Sequence, residues 1–331
     1  ARILSGSVDL RPRDNRATSL APRVYSVAKS IETYTESSVT EPMKPRDRVD
    51  YSAIVDRAPL PLPDGGRVAV WTIVNVEHWS IDDPMPRTVL PPPRGKDLLP
   101  DLPNWAWHEY GMRVGYWRLL DAIRSAGLRA TLATNGAVCA SYPRVIEAAL
   151  DADWEIMGHG FTQGPMHTID DQRKAIRDTV EAICNATGSA PRGWESPGLT
   201  ETFETADLLA DEGIEYVADW ILDDQPTRIR TSTGSLVSIP YTVELNDIPI
   251  SALQQHRSDE ILRRGIDHFD RLYAEGKEHT RVMAISLHPF LTGAPHRIRY
   301  LEELYDYIGS KSGVCMMTGE EILDWYLKVS D

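Results

Sequence analysis

The sequence predicts an α/β protein in which strands and helices alternate along the chain. The strands form a mostly parallel sheet of seven or eight members, curled into a closed or nearly closed barrel behind an extended N-terminal arm. Three observations predict this. Residues 67–76, Arg-Val-Ala-Val-Trp-Thr-Ile-Val-Asn-Val, are a near-continuous apolar run, as in a strand covered on both faces. Short apolar runs then alternate with amphipathic stretches of helical period across short links. Titratable residues stand where several of those runs end, and in such sheets the carboxyl ends of the strands carry the chemistry.

The elements follow in order. Residues 1–66 are polar and rich in Arg, Ser, Thr and Pro. Such a segment has too few apolar groups to order itself, so it is expected as an arm lying on the barrel or on a neighbouring subunit. The barrel is assigned to residues 67–331. After the first strand, a Pro- and Trp-rich connection runs from Trp79 to about Gly111, longer than structural links usually are. A helix over 114–125 is stopped by Gly127, and a strand follows over 128–134. Next come a helix over 143–150 and a strand over 154–157 ending at Gly158-His159-Gly160. The stretch 168–187 places Ile176, Val180 and Ile183 on one helical face. Gly193-Trp194 ends a short strand, and a helix over 203–212 is closed by Gly213. Strands over 215–220 and 235–240 precede a helix over 259–275. A strand over 282–287, a helix over 297–308, a strand over 313–317 and a helix over 319–327 complete the chain.

Composition narrows the partners. The 331 residues carry a formal net charge of -14, which disfavours nucleic acid and anionic membrane surfaces, both of which need a basic face. Cys139, Cys184 and Cys315 are widely spaced and odd in number, as expected of reduced, mostly buried thiols. No apolar run approaches the roughly 20 residues of a spanning helix, and the N-terminus shows no apolar signal core. A cytoplasmic protein is the expectation. An arm ordered on a partner implies a homodimer or homotetramer.

The strand ends supply Asn75 and Glu77, His159, Glu195, Asp219 and His288. Each has an ordinary alternative: Glu77 a solvated carboxylate, Glu195 an exposed one, Asp219 a cap or ion-pair partner, and His288 a satisfied strand-end imidazole. Together on one rim they form an acid–base cluster.

Five short motifs occur in a fixed order. They are Asn75-Val76-Glu77, Gly158-His159-Gly160, the segment Arg192 to Gly198, Asp219-Trp220 and Leu287-His288-Pro289. In these the chain resembles the polysaccharide-deacetylase-like superfamily over roughly residues 67–328. The resemblance implies a distorted or incomplete (β/α) barrel. It also implies departures. Asn75 stands where metal-dependent deacetylases carry the first of two adjacent aspartates. Four residues after His159 comes Gln163 instead of a second histidine, the next being His167, and Glu195 stands where an arginine is usual. The pattern Asn-x-Glu, His-Gly and His-Pro, with Gly293 to Arg297 following, is closer to the branch of metal-independent allantoinases and cyclic-imide hydrolases. That likeness implies a hydrolase of a non-peptide C–N bond in a small amide, cyclic imide or ureide.

Amide hydrolysis needs an activated water, a stabilised oxyanion and a proton for the departing nitrogen. On this reading Glu77 is the base or a metal ligand, His288 the acid, and His159 a carbonyl polariser or a ligand. Asn75 binds substrate or orients Glu77, and Asp219 orients a histidine. Glu195 contacts substrate, and Arg297 either grips a carboxylate or ureide oxygen or is a surface arginine at a helix start. Trp105, Trp107 and Trp194 either wall the pocket or pack the core. Either no cofactor is required, or one divalent metal such as zinc is held by Glu77, His159 and His167. Two other readings stay open: a metal-dependent N-deacetylase of acetylated sugars, and a non-catalytic ligand-binding relative.

Overall fold

The apolar run after the arm forms β1 (Val68–Val76), and all nine of its residues are buried. The computed structural model describes residues 41–96 and 98–330. The following strands are β2 (Thr131–Thr134), β3 (Glu155–Gly158), β4 (Gly193–Trp194), β5 (Tyr216–Val217), β6 (Thr227–Thr231), β7 (Gly234–Ser238), β8 (Arg281–Leu287) and β9 (Val314–Met316). The main sheet order is β6-β7-β5-β4-β3-β2-β1-β8, with β9 beside the start of β1. Every pairing is parallel except that of β6 with β7.

The sheet is an incomplete barrel of nine strands. The additional strand is β6, which folds back on β7 as an antiparallel hairpin and was not distinct in the apolar pattern. The far edge of β8 is met by irregular chain: Ser286 donates its N–H to the Leu245 carbonyl at 3.1 Å, and Asn246 bridges Ser286 in parallel sense. β4 and β5 are two residues long, shorter than their apolar runs.

The helices are α1 (Pro45–Arg48), α2 (Leu102–Tyr110), α3 (Tyr116–Ser125), α4 (Val138–Ser141), α5 (Pro143–Asp151), α6 (Gln172–Thr187), α7 (Thr205–Asp211), α8 (Glu260–Glu275), α9 (Ile298–Gly309) and α10 (Gly319–Ser330). The connection after β1 thus contains a helix. α2 is capped by Asp101, which accepts from Asn104 N–H. α6 begins later than its apolar period indicates because Asp171 caps it, accepting from Lys174 N–H. No helix among the described residues is long and apolar enough to cross a membrane.

The described residues from 42 to 330 form one compact unit. Of the expected arm, residues 1–40 lie outside the described residues. Within the unit, Arg48 is buried and its guanidinium reaches Asp207 Oδ2 at 2.6 Å and the carbonyls of Arg230 and Phe203. The three cysteines are free and half-buried.

Side chains along each strand alternate between two environments. Val68, Val70, Val74 and Val76 of β1, with Met283, Ile285 and Leu287 of β8, pack against the helical layer. Ala69, Trp71 and Ile73, with Val282 and Ala284, fill the barrel interior beside Met157, Tyr216 and Tyr241. The floor of that interior is polar but satisfied. Trp71 Nε1 donates to Thr131 Oγ1 at 2.7 Å, and Thr131 and Tyr216 hydroxyls donate to the two oxygens of Glu155, each at 2.6 Å. Burial raises the Glu155 carboxyl to about 7.

Candidate active site

Continuing the inward register of each strand by one step places Asn75 and Glu77, Asn135, His159, Glu195, Tyr241 and His288 at the carboxyl-end mouth. A cavity of about 810 Å³ opens there, lined among others by Glu77, His159, Glu195, Tyr241 and His288.

Glu77 lies between two imidazoles. Its Oε1 is 3.6 Å from His288 Nε2 and 3.9 Å from His159 Nε2, too long for direct hydrogen bonds and suited to a shared oxygen between them. Its Oε2 accepts from Trp79 Nε1 at 2.6 Å. The Trp79 indole is stacked on His108, with ring centroids 4.5 Å apart. Burial alone would raise the Glu77 carboxyl, but His159 and His288 outweigh it and bring it down to about 2. His108, buried away from water, is held neutral with its pKa down at about 4.

Each catalytic-candidate imidazole is fixed through its other nitrogen. His159 Nδ1 lies 2.8 Å from the Glu195 carbonyl oxygen, which can only accept, so Nδ1 carries hydrogen and Nε2 faces Glu77. His288 Nδ1 is 2.7 Å from Asp247 Oδ1. Burial disfavours the imidazolium in both rings. Neighbouring carboxylates outweigh it, chiefly Glu195 and Glu77 for His159 and Asp247 for His288, so both pKa values are raised.

Asp247 is the functional candidate that reading the sequence missed. Its Oδ2 accepts from His288 N–H at 2.8 Å and from the Thr292 hydroxyl at 2.6 Å. It follows Asn246, whose single parallel bridge to Ser286 is a one-residue strand remnant, too short to show in an apolar pattern. Asn135 was missed for a similar reason. It follows β2, where its Oδ1 accepts from His78 N–H at 2.8 Å and its Nδ2 donates to the His159 carbonyl and to Gln163 Oε1. It thereby ties together the loops after β1, β2 and β3.

Several expected site residues serve elsewhere. Asp219 has the register of Val217, which faces the outer cluster. Its Oδ1 accepts from Ser196 N–H at 2.7 Å. Desolvation raises the carboxyls of both Asp219 and its neighbour Glu201, and the Asp219 charge disfavours that of Glu201 further. No hydrogen bond joins Asp219 to either imidazole among the described residues, and Asp247 orients His288 instead. Asn75 Nδ2 is used by the fold, donating to Ser286 Oγ and the Leu287 carbonyl. Trp194, also of outward register, is fully buried and donates to Ser196 Oγ. Trp105 and Trp107 pack behind the site on Trp79, Ile248 and Phe290 and do not line the cavity. Arg297 is half-buried, its Nη1 reaching the Leu291 carbonyl at 3.4 Å, and it also lies off the cavity lining. Glu195 does line the cavity. Burial and then the Asp219 charge raise its carboxyl to about 7, against the pull of His159.

The proposed metal set is not assembled. His167, in the turn Met166–Thr168, is exposed and is not itself among the residues lining the cavity, although Pro165 and Thr168 are. Gln163 at the cavity wall offers an amide where a second imidazole would be needed. Among the described residues no group of three His, Cys, Asp or Glu side chains is arranged to hold a metal ion.

Comparison with known proteins agrees with this fold. The polysaccharide deacetylase family profile matches residues 107–217. Over 236 residues, 65% of this chain and 73% of the relative, the sequence is 31% identical to a polysaccharide-deacetylase-type protein of Schizosaccharomyces pombe. It is 26% identical to a peptidoglycan deacetylase of Helicobacter pylori over 249 residues, 65% of this chain and 84% of that one. Among crystal structures, the Puue allantoinase superposes with a TM-score of 0.75 at 26% identity, covering 85% of this chain and 98% of that one. A polysaccharide-deacetylase-type structure from Pseudomonas aeruginosa gives 0.76 at 25% identity, covering 84% and 98%. The chain belongs to the polysaccharide deacetylase family, as a hydrolase of carbon–nitrogen bonds other than peptide bonds.

Proposed function

We propose that this chain opens a small cyclic amide, imide or ureide by adding water to the ring carbonyl. One observation carries the reading: Glu77 Oε1 lies between the Nε2 atoms of His159 and His288, on a cavity where the three-ligand metal set is not assembled. Water held between Glu77 and the imidazoles loses a proton to Glu77 as its oxygen bonds to the carbonyl carbon. His159, protonated on both nitrogens, donates from Nε2 to the developing oxyanion. The C–N bond then breaks, and the departing nitrogen takes the proton from His288 Nε2.

A carboxylate with a pKa of about 2 is a weak base at rest. Its proton transfer therefore accompanies C–O bond formation, which makes the attacking water acidic. When His288 gives up its proton at C–N cleavage, one of the positive charges holding Glu77 down is gone and Glu77 retains the water proton, so the three groups titrate as a unit. Asp247 keeps His288 charged until that moment.

The family profile and the named deacetylase relatives favour a second reading, N-deacetylation of an acetylated sugar. A hydrolysis panel separates the two. Allantoin, hydantoin and succinimide are set beside acetylated chito-oligosaccharides, with ring opening and acetate release scored separately. Ring opening without acetate is the expected result. Acetate release alone would replace this reading with the second.

A further inference from the structure

The cavity has one feature that the hydrolytic machinery leaves unused. Arg87 is the sole arginine or lysine among its described lining residues, beside the carboxylates Glu77 and Glu195 and walls built largely from prolines and aliphatic side chains. Most of the described arginines are paired with carboxylates, as Arg57 is with Asp223 and Arg192 with Glu215 and Asp324. Arg87 makes no hydrogen bond or ion pair with any described residue, although Asp82 and Asp83 precede it closely. A half-buried arginine that lines a cavity and pairs with no described carboxylate keeps its five donors for something that enters.

Its position is fixed from both sides. Two residues before it, Met85 packs against the cluster of Trp79, Ile248 and Phe290. Two and three residues after it, the N–H groups of Val89 and Leu90 both donate to the buried Asn104 Oδ1, at 2.8 and 3.0 Å. Pro84 and Pro86 stiffen the segment further. The backbone bearing Arg87 is thus held before any ligand arrives, which lowers the ordering cost of binding.

We propose that Arg87 is a specificity residue that grips a carboxylate on the substrate. The site then selects small cyclic amides or ureides bearing an anionic carboxylate away from the scissile bond. This rests on the ring-opening reading above. A planar guanidinium matches a carboxylate bidentately, and Arg87 takes one of the two roles that the sequence left open for Arg297.

The test pairs hydantoin with hydantoin-5-acetic acid, which differ in the carboxymethyl group. Both are measured with wild-type protein, Arg87→Gln and Arg87→Lys, by ring opening and by calorimetric binding. The expected wild-type kcat/KM favours the acid by about ten- to a hundredfold, the scale of a charge-assisted hydrogen-bonded pair. In Arg87→Gln the ratio falls to about one, with Arg87→Lys between. No preference in wild type, or a preference that survives Arg87→Gln, overturns the proposal. If neither ring opens, the ring-opening reading fails, and binding decides on Arg87 separately. Tighter binding of the acid that is lost in Arg87→Gln supports its role, and equal or undetectable binding of both compounds overturns it.

Discussion

His288 and Asp247 are joined twice: the imidazole Nδ1 lies 2.7 Å from Oδ1, and the backbone N–H of the same histidine donates to Oδ2 at 2.8 Å. One carboxylate therefore sets both the charge and the place of the ring. The ring also contacts Phe290 at 5.5 Å between centroids, so its Nε2 has little freedom except toward Glu77.

Asp247→Asn tests that relationship through pH. The folded His288 pKa is raised because Asp247 outweighs the burial penalty, so the protonated acid persists above its ordinary value near 6.5. Activity that needs this proton is lost as pH rises through the raised value. In Asp247→Asn the alkaline limb of kcat/KM moves to lower pH, and kcat falls on the order of a hundredfold. A limb that stays in place would show that another group sets it.

Glu77→Gln keeps the shape of the side chain and the acceptor for Trp79 Nε1 while removing the charge. Turnover is expected to fall below a tenth of the wild-type value with an unchanged circular dichroism spectrum. The loss of the central anion also lowers both imidazole pKa values, readable by NMR titration of the two rings. A variant retaining more than a tenth of the activity would remove Glu77 from the essential residues.

Gly115→Ala probes how the His288 loop is seated. The π-helical turn Gly111–Gly115 runs so close to Pro289 that a Cβ on Gly115 would lie 2.0 Å from the Pro289 carbonyl oxygen. Both partners are backbone, so one must move. A stability loss of roughly 1–3 kcal/mol is expected from such overpacking, read by chemical denaturation. A kcat loss approaching a hundredfold should accompany it if the loop carries His288 away by about 1 Å. Normal stability and normal kcat together would refute the close approach.

Chelation is the fourth test. Because His167 is exposed and Gln163 replaces an imidazole at the cavity wall, ring opening is expected to survive prolonged dialysis against a strong chelator. Loss of activity restored by zinc would show a metal held by a donor set other than Glu77, His159 and His167.

The sequence by itself determined the class of the fold and the inward-facing chemistry. The strict period of two in β1, β3 and β8 carries from Trp71 and Ile73 to Glu77, from Met157 to His159, and from Val282 and Ala284 to His288. Any residue at those offsets past a buried strand must face the mouth. The same rule, applied to β5 and β4, turns Asp219 and Trp194 outward with Val217, so the choice between the two roles open to each rested on register.

The tertiary structure alone decided what comes from chain lacking a period. Asp247 reaches His288 across 41 positions from a segment with one bridging residue. Asn135 is placed by the meeting of three loops, and Arg87 by anchors at Met85 and Asn104. The aromatic residues of α2 pack behind the site because Trp79 and Phe290 meet them there. Long-range contacts of this kind depend on which loops the curled sheet brings side by side, and local spacing holds no record of that.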